Sequence, residues 1–282
     1  MNQDKNLLTL KRILVPLDAS EHSMAALNTA AELAAAQGAE LEGLFVEDTN
    51  LLQLCEFPFI REISFWGHAF RCMNRSDTER QLRLRAQQLK RILAEVATRH
   101  DVSWKFKVTR GGVPTEVLAA AEEADLTILG RSGWTLTRPR ISGSTVRTVV
   151  SRGRGMTMII QKGMRFQPPV QALFTGSELS EKALNVALDL GKKKDISILV
   201  YLLTDGDKDL KSMRKRVEEI TSAKGVRAAI QSIRAMDLKR ISRTVRAYGP
   251  GPLFIPCEEP NLHGDDLQEL IISLDNPVFL VR

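Results

Sequence analysis

The sequence DLTILGRSGWTLTRPRISGSTVRTVV, residues 125–150, joins a strand pattern to a helix pattern through a segment rich in glycine. The apolar run Leu126–Leu129 has the length and branching of a buried strand. Glycines follow at Gly130, Gly133 and Gly143, and three valines beyond them recur at helical spacing. The stretch therefore predicts a strand, a glycine-rich loop and a helix in that order, which is the unit of an α/β fold.

This arrangement predicts a nucleotide phosphate site at the start of the helix. The first turn of a helix has free backbone N–H groups and the positive end of the helix dipole, both of which favour an anion. Ser144 can act as an N-cap or donate its hydroxyl to a phosphate oxygen. The spacing is neither GxxxxGK[ST] nor GxGxxG. An ordinary glycine-containing loop is the alternative, but the combined spacing and the strand–helix context favour the phosphate site.

The beginning of the chain predicts a parallel sheet. Residues 12–17 (RILVPL) have a strand pattern, residues 21–37 form an alanine-rich helical pattern that ends at Gly38, and residues 40–46 have a second strand pattern. A β-α-β order favours a parallel sheet with right-handed crossovers, whose ligands bind at the carboxyl ends of the strands. Asp18 follows the first strand at such an end, where its carboxylate could accept hydrogen bonds from a ribose or an adenine amino group.

The segments ILVPLDASEHS and FVEDTNLL, together with the glycine loop, resemble the universal stress protein family over about Lys11 to Lys162. The resemblance implies bound ATP, with Mg²⁺ as an optional companion, and no catalytic residues. The nucleotide-binding residues that it implies are Pro16, Asp18, Val46, Gly130, Arg131, Gly133, Gly143, Ser144 and Thr145.

The second part of the chain repeats the first. SELSEKALNVALDLG, from Ser177, aligns without a gap with SEHSMAALNTAAELA, from Ser20. We therefore predict two tandem, doubly wound, five-stranded parallel-sheet (Rossmann-like) domains, at residues 1–163 and 168–282. Members of the resembled family commonly dimerise through the last strand of the sheet, so we expect the two domains to form a pseudo-dimer within the chain. Dimers of the whole chain remain open.

The second copy lacks the residues expected to bind phosphate. Thr175 stands at the position of Asp18, and Cys257-Glu-Glu-Pro stands where the first copy has Gly130-Arg-Ser-Gly. Asp265 and Asp266 replace the two hydroxyl residues at the start of the helix. Carboxylates at this place would repel a polyanion, so the sequence predicts one nucleotide site, in the first domain.

Residues 47–78 form an insertion that contains five aromatic residues between Phe57 and Phe70. Long excursions of this kind are often functional. We expect a lid that packs against the other half of the chain, and the alternative is a surface for a partner or an apolar ligand.

Composition narrows the functional classes. Of the 282 residues, 43% are hydrophobic and 26% charged, which is typical of a soluble globular protein. No apolar run is long enough for a membrane span, and three cysteines without a CxxC pair favour a reducing compartment, so we expect a cytoplasmic protein. The net charge of +6 is mild, and nucleic acid binding has no aromatic-plus-basic motif behind it.

Three functions are consistent with these patterns. The first is an ATP-binding regulatory or stress-response protein with an unidentified protein partner. The second is a slow ATPase or phosphotransferase that uses a metal-bound nucleotide with Asp18. The third is a scaffold whose aromatic insertion binds a protein or an apolar molecule.

Overall fold

The computed structural model of the chain describes residues 10–57, 61–63, 70–72, 74–131, 144–164, 167–194, 196–204, 206–234, 237–257, 262 and 264–282. Strands and helices alternate through both halves. The first half contains β1 (Arg12–Pro16), α1 (Glu21–Gln37), β2 (Glu40–Asp48), α2 (Thr49–Leu54), β3 (Arg61–Ile63), β4 (Phe70–Cys72), α3 (Arg75–Arg99), β5 (Trp104–Gly111), α4 (Val113–Ala121), β6 (Leu126–Gly130), α5 (Ser144–Arg152) and β7 (Met156–Ile160). The second half contains β8 (Val170–Phe174), α6 (Glu178–Lys194), β9 (Ile198–Leu203), α7 (Asp207–Ala223), β10 (Ala228–Ile233), α8 (Leu238–Tyr248), β11 (Leu253–Pro256), α9 (Gly264–Ser273) and β12 (Val278–Val281).

Ten of the strands form one sheet in the order β10-β9-β8-β11-β12-β7-β6-β1-β2-β5. Within each half all neighbouring strands are parallel, and the first strand of the half lies in the middle. Helices α1, α3, α6 and α7 cover one face of the sheet, and α4, α5, α8 and α9 cover the other. This is the doubly wound α/β architecture predicted from the sequence, present once in each half.

The two halves meet through their last strands. β7 pairs with β12 in the antiparallel direction, with Met158 opposite Phe279 and Ile159 opposite Val278. These side chains are almost fully buried, and Phe279 stacks on Phe254 with ring centroids 4.4 Å apart. An apolar strand at the edge of a sheet is an association hazard unless it is covered. Each half therefore removes the exposed edge of the other, as the pseudo-dimer prediction requires.

The internal repeat extends to individual hydrogen bonds. The Ser23 N–H donates to Ser20 Oγ at the start of α1 (3.1 Å), and the Ser180 N–H donates to Ser177 Oγ at the start of α6 (3.0 Å). The Ser23 and Ser180 hydroxyls in turn donate to the carbonyls of Ser20 and Ser177. The same N-terminal cap is thus built twice, in register with the sequence repeat.

Helix α2, at the start of the insertion, packs within the first half. α2 begins directly after β2, where Asp48 caps it, and packs on α3 and β5. Because β5 is the outer strand of the first half, α2 lies at the edge of the sheet that is farthest from the junction. Phe57 is 48% exposed there. The aromatic residues Phe59, Phe65 and Trp66 lie outside the described residues.

None of the helices in the described ranges combines the length and the apolar character that a membrane span requires.

The edge pairing predicts that the first half cannot stay monomeric alone. A fragment of residues 1–167 exposes β7, whose Ile159 is 2% exposed in the full chain. We expect this fragment to self-associate in light scattering, and we expect Ile159→Lys to make it monomeric because an edge lysine opposes strand addition. The control is Val108→Lys on the outer strand β5, where Val108 is already 47% exposed. A monomeric wild-type fragment, or equal effects of the two lysines, would count against the edge pairing.

Candidate functional site

A pocket opens at the carboxyl ends of β1, β2 and β6, between α4 and α5. This is the edge at which open parallel sheets bind ligands. The pocket brings together predicted residues from distant parts of the chain. Its walls are Pro16, Leu17, Asp18, Ser20, Ser23, Leu44, Phe45, Val46, Val113, Val117, Leu129, Gly130, Thr145 and Val146.

Asp18 is the one charged side chain among the described lining residues. Partial desolvation opposes its ionisation, but hydrogen bonds from the Ser20 and Ser23 side chains and from backbone N–H groups outweigh that effect and hold the pKa of Asp18 below its ordinary value. The Ser20 N–H donates to Asp18 Oδ1 at 2.9 Å. The pocket therefore carries a fixed negative charge at neutral pH.

Ala19 shapes the turn that holds Asp18. Its φ of 66° lies in the left-handed region, which costs an alanine about 1–2 kcal/mol. The turn places the Asp18 carboxylate over the start of α1, where it accepts from the Ser20 N–H. Nothing in the residue type at position 19 reveals this conformation, and sequence reasoning did not find it.

Gly130 is required by the packing of β6 against α1. A Cβ at this position would lie 2.3 Å from the His22 carbonyl oxygen and 2.8 Å from the Ser23 nitrogen. The end of β6 is therefore pressed against the first turn of α1. The sequence pattern placed Gly130 correctly in the pocket, but its physical role in the described structure is to let helix and strand approach.

Helix α4 contributes two valines to the apolar lining of the pocket. Val113 and Val117 of this helix line the pocket together with Val46 and Leu129 of the sheet. A mostly apolar cleft with few polar groups is the usual form of a small-molecule site. Sequence reasoning found Val46 but missed the two valines of α4. Their spacing on the buried face of an amphipathic helix was the available signal.

Arg131 lies next to the pocket, but its side chain is directed to the second half. Only 5% of the residue is exposed, and its guanidinium donates to the Ile271 and Leu274 carbonyls at 2.7 Å each. Its backbone N–H donates to the Ile160 carbonyl and so extends the pairing of β6 with β7. The guanidinium is therefore engaged away from the pocket, and only the backbone of Arg131 remains beside it.

The remaining predicted residues belong to the loop and to α5. Gly133 and Gly143 lie outside the described residues. Ser144 is the exposed first residue of α5, and Thr145 lines the pocket. The first turn of α5 carries no acidic residue, whereas the first turn of its counterpart α9 carries Asp265 and Asp266. The two helix starts therefore differ in charge as the sequence predicts.

Comparison with known protein families gives a match at the start of the chain. The family model described as universal stress protein family matches residues 9–54, a segment that includes Pro16, Asp18 and Val46. The resemblance to the universal stress proteins is confirmed. No curated protein sequence matches the chain significantly.

Solved structures extend the likeness of fold to both halves. A universal stress protein from Archaeoglobus fulgidus superposes with a TM-score of 0.73 over 97% of this chain and 98% of its own, at 17% identity. A protein of unknown function from Pseudomonas aeruginosa PAO1 superposes with a TM-score of 0.62 over 97% of this chain and 93% of its own, at 14% identity. The whole chain thus shares its fold with a universal stress protein chain that it covers almost completely. At these identities the likeness is one of fold.

The packing at Gly130 predicts a stability effect that is independent of any ligand. Gly130→Ser places a Cβ against backbone of α1, which cannot rotate away, and we expect a loss of about 1–3 kcal/mol in the free energy of unfolding. Gly112→Ser is the matched control, because a Cβ there meets nothing closer than 3.8 Å and the hydroxyl can cap α4. Urea titration of the ligand-free chain should show a lower midpoint for the first variant and an unchanged or slightly higher one for the second. Equal midpoints would contradict the packing role.

Proposed function

We propose that the chain is an ATP-binding universal stress protein of the cytoplasm that holds one nucleotide in its first half, and that the bound nucleotide sets its conformation in a stress-response or regulatory role. The observation that carries the proposal is the pocket at the carboxyl edge, which combines the Asp18 carboxylate, an apolar wall and the start of α5, whose first turn carries no acidic residue. We assign residues 1–163 to the nucleotide-binding domain and 168–282 to the degenerate domain.

The charge of Asp18 orients a nucleotide in the pocket. A carboxylate with a lowered pKa accepts hydrogen bonds from ribose hydroxyls or an adenine amino group and repels phosphate. The base and the sugar therefore belong near Asp18 and Val46, with the purine ring against Val113 and Val117. The phosphates belong at the other side of the pocket.

The start of α5 suits those phosphates. The N–H groups in the first turn of a helix lack partners within the helix and, together with the helix dipole, favour an anion, and Thr145 adds a hydroxyl at the pocket wall. The start of α9 has the opposite character, because Asp265 and Asp266 already satisfy the helix dipole and would repel a phosphate. This difference supports one nucleotide per chain.

Mg²⁺ fits this site only as a companion of the nucleotide. No group of three potential His, Cys, Asp or Glu ligands exists among the residues that the structure describes. A Mg²⁺ ion that enters with ATP would thus be held mainly by phosphate oxygens and water, as this ion commonly is in nucleotide sites.

Substitution at Thr145 tests the placement of the phosphates. Thr145→Asp puts a carboxylate at a helix start, where it stabilises the helix and repels phosphate. We expect calorimetry to show ATP binding weakened by about tenfold or more, with a melting temperature at or above that of the wild type in ligand-free buffer. Thr145→Asn, which is similar in size and uncharged, should bind far better than the aspartate variant. Equal affinity of the two variants would place the phosphates elsewhere.

Hydrolysis should be slow. Because Asp18 is the one ionisable side chain among the described lining residues and is expected beside the sugar, the described part of the pocket offers no base at the terminal phosphate. We expect phosphate release from ATP and Mg²⁺ at no more than about one turnover per minute, below the usual enzyme range of ~1–10³ s⁻¹. Several turnovers per second, abolished by Asp18→Ala, would favour an ATPase or phosphotransferase instead.

A further inference from the structure

Arg131 joins the edge of the candidate site to the second half of the chain. Its two terminal nitrogens donate to the carbonyls of Ile271, in the last turn of α9, and of Leu274, just beyond that helix, at 2.7 Å each. With its amide oriented to satisfy both groups, Gln161 accepts from Arg131 Nε at 2.9 Å. A cation at this end of a helix is stabilised by the helix dipole and by carbonyls that lack partners within the helix. Arg131 therefore caps the last helix of the other half.

The guanidinium of Arg131 remains charged although it is buried. Desolvation lowers the pKa of Arg131 to about 10, partly offset by the charge of Asp275. That value is far above neutral pH, so the carbonyls of α9 are bonded by a cation. Charge-assisted hydrogen bonds of this kind are stronger than bonds between neutral groups, and a buried acceptor that loses its donor incurs a desolvation penalty.

A second arginine makes the reverse connection. Arg282, the residue after β12, donates to the Val149 and Val150 carbonyls of α5 at 3.2 and 2.5 Å, and to the Gly155 carbonyl at 3.3 Å. The last helix of each half is thus capped at its C-terminus by an arginine from the other half.

Both contacts reach the walls of the pocket. Arg131 directly follows Gly130, which is a wall residue, so the anchoring of its side chain also fixes the end of β6. α5 is only nine residues long, with Thr145 and Val146 in the pocket and its other end on Arg282. Because a short helix moves as a rigid rod, a shift at its C-terminus displaces its N-terminus. The second half therefore holds two walls of the pocket in place. None of the described residues of the second half lines the pocket itself.

We propose that Arg131 and Arg282 are positioning residues through which the second half sets the geometry, and thereby the nucleotide affinity, of the pocket in the first half. The part of this inference that concerns nucleotide affinity rests on the proposed function. Its consequence for the pocket walls can be measured without nucleotide. We call these contacts of Arg131 and Arg282 the clamp, because through them the second half holds the walls of the pocket in place.

Hydrogen exchange of the ligand-free full chain tests the clamp. Arg131→Gln and Arg282→Gln each remove the charged guanidinium donors. At a temperature well below the melting temperature, we expect the hydrogen-exchange rates of the backbone amides of α5 and of the end of β6 to rise about tenfold. The matched control is Arg246→Gln. Arg246 also donates to the end of α9, at the Ser273 carbonyl, but from within the second half, so its loss should leave α5 and β6 unchanged.

Two further measurements separate positioning from general stability. Arg131→Lys keeps the positive charge but lacks the two parallel N–H donors of the guanidinium, so it should restore part of the protection against hydrogen exchange. This variant also tests the role of Arg131 if Arg131→Gln does not fold. For ATP, we expect calorimetry to show about tenfold weaker binding for Arg131→Gln and Arg282→Gln, and unchanged binding for Arg246→Gln.

Unchanged exchange in α5 for both glutamine variants, or an equal rise for Arg246→Gln, would overturn the clamp. Clear exchange effects with wild-type affinity for ATP would also reject the positioning role. If the wild-type chain binds no ATP, the proposed function fails, and the exchange comparison decides by itself whether the second half holds the pocket walls.

Discussion

The antiparallel pairing of β7 with β12 is the contact on which the rest of the structure depends. It joins two five-stranded parallel sheets into one sheet and buries the apolar strand that each half would otherwise expose. It also brings the last helix of each half within reach of an arginine from the other. Without this pairing, neither α5 nor α9 would have its cationic cap, and the pocket would lose its support from the second half.

Much of the fold could be predicted because its signals are local. Ser20 and Gly38 mark the two ends of α1, and both act in the structure as their residue types predict. The repeat of Ser20-x2-Ser23 at Ser177 predicted a second copy, and the same capping bonds recur there. Apolar runs such as Met156–Ile160 located the strands, since strands buried on both faces of a parallel sheet are apolar throughout.

The candidate site was predictable only in part, because some of its features depend on contacts between distant residues. The order of strands and glycines located Asp18, Val46 and Gly130, but Val113 and Val117 enter the pocket through the way α4 packs. Arg131 stands within the glycine-rich segment that predicted a nucleotide site, yet its side chain donates to the carbonyls of residues 140 and 143 positions further along the chain. The expected lid stays a prediction, because Phe59, Phe65 and Trp66 lie outside the described residues, whereas α2 follows β2 to the outer edge of the sheet.

We propose that one half of the chain binds a nucleotide and that the other half holds the walls of the binding pocket in place. The most direct test is mass spectrometry of the small molecules released when the freshly purified full chain is denatured by heat, with nucleotide quantified against protein. The account predicts adenine nucleotide, at no more than one molecule per chain, and its loss from the Thr145→Asp variant. Two molecules per chain, or nucleotide retained equally by that variant, would contradict it.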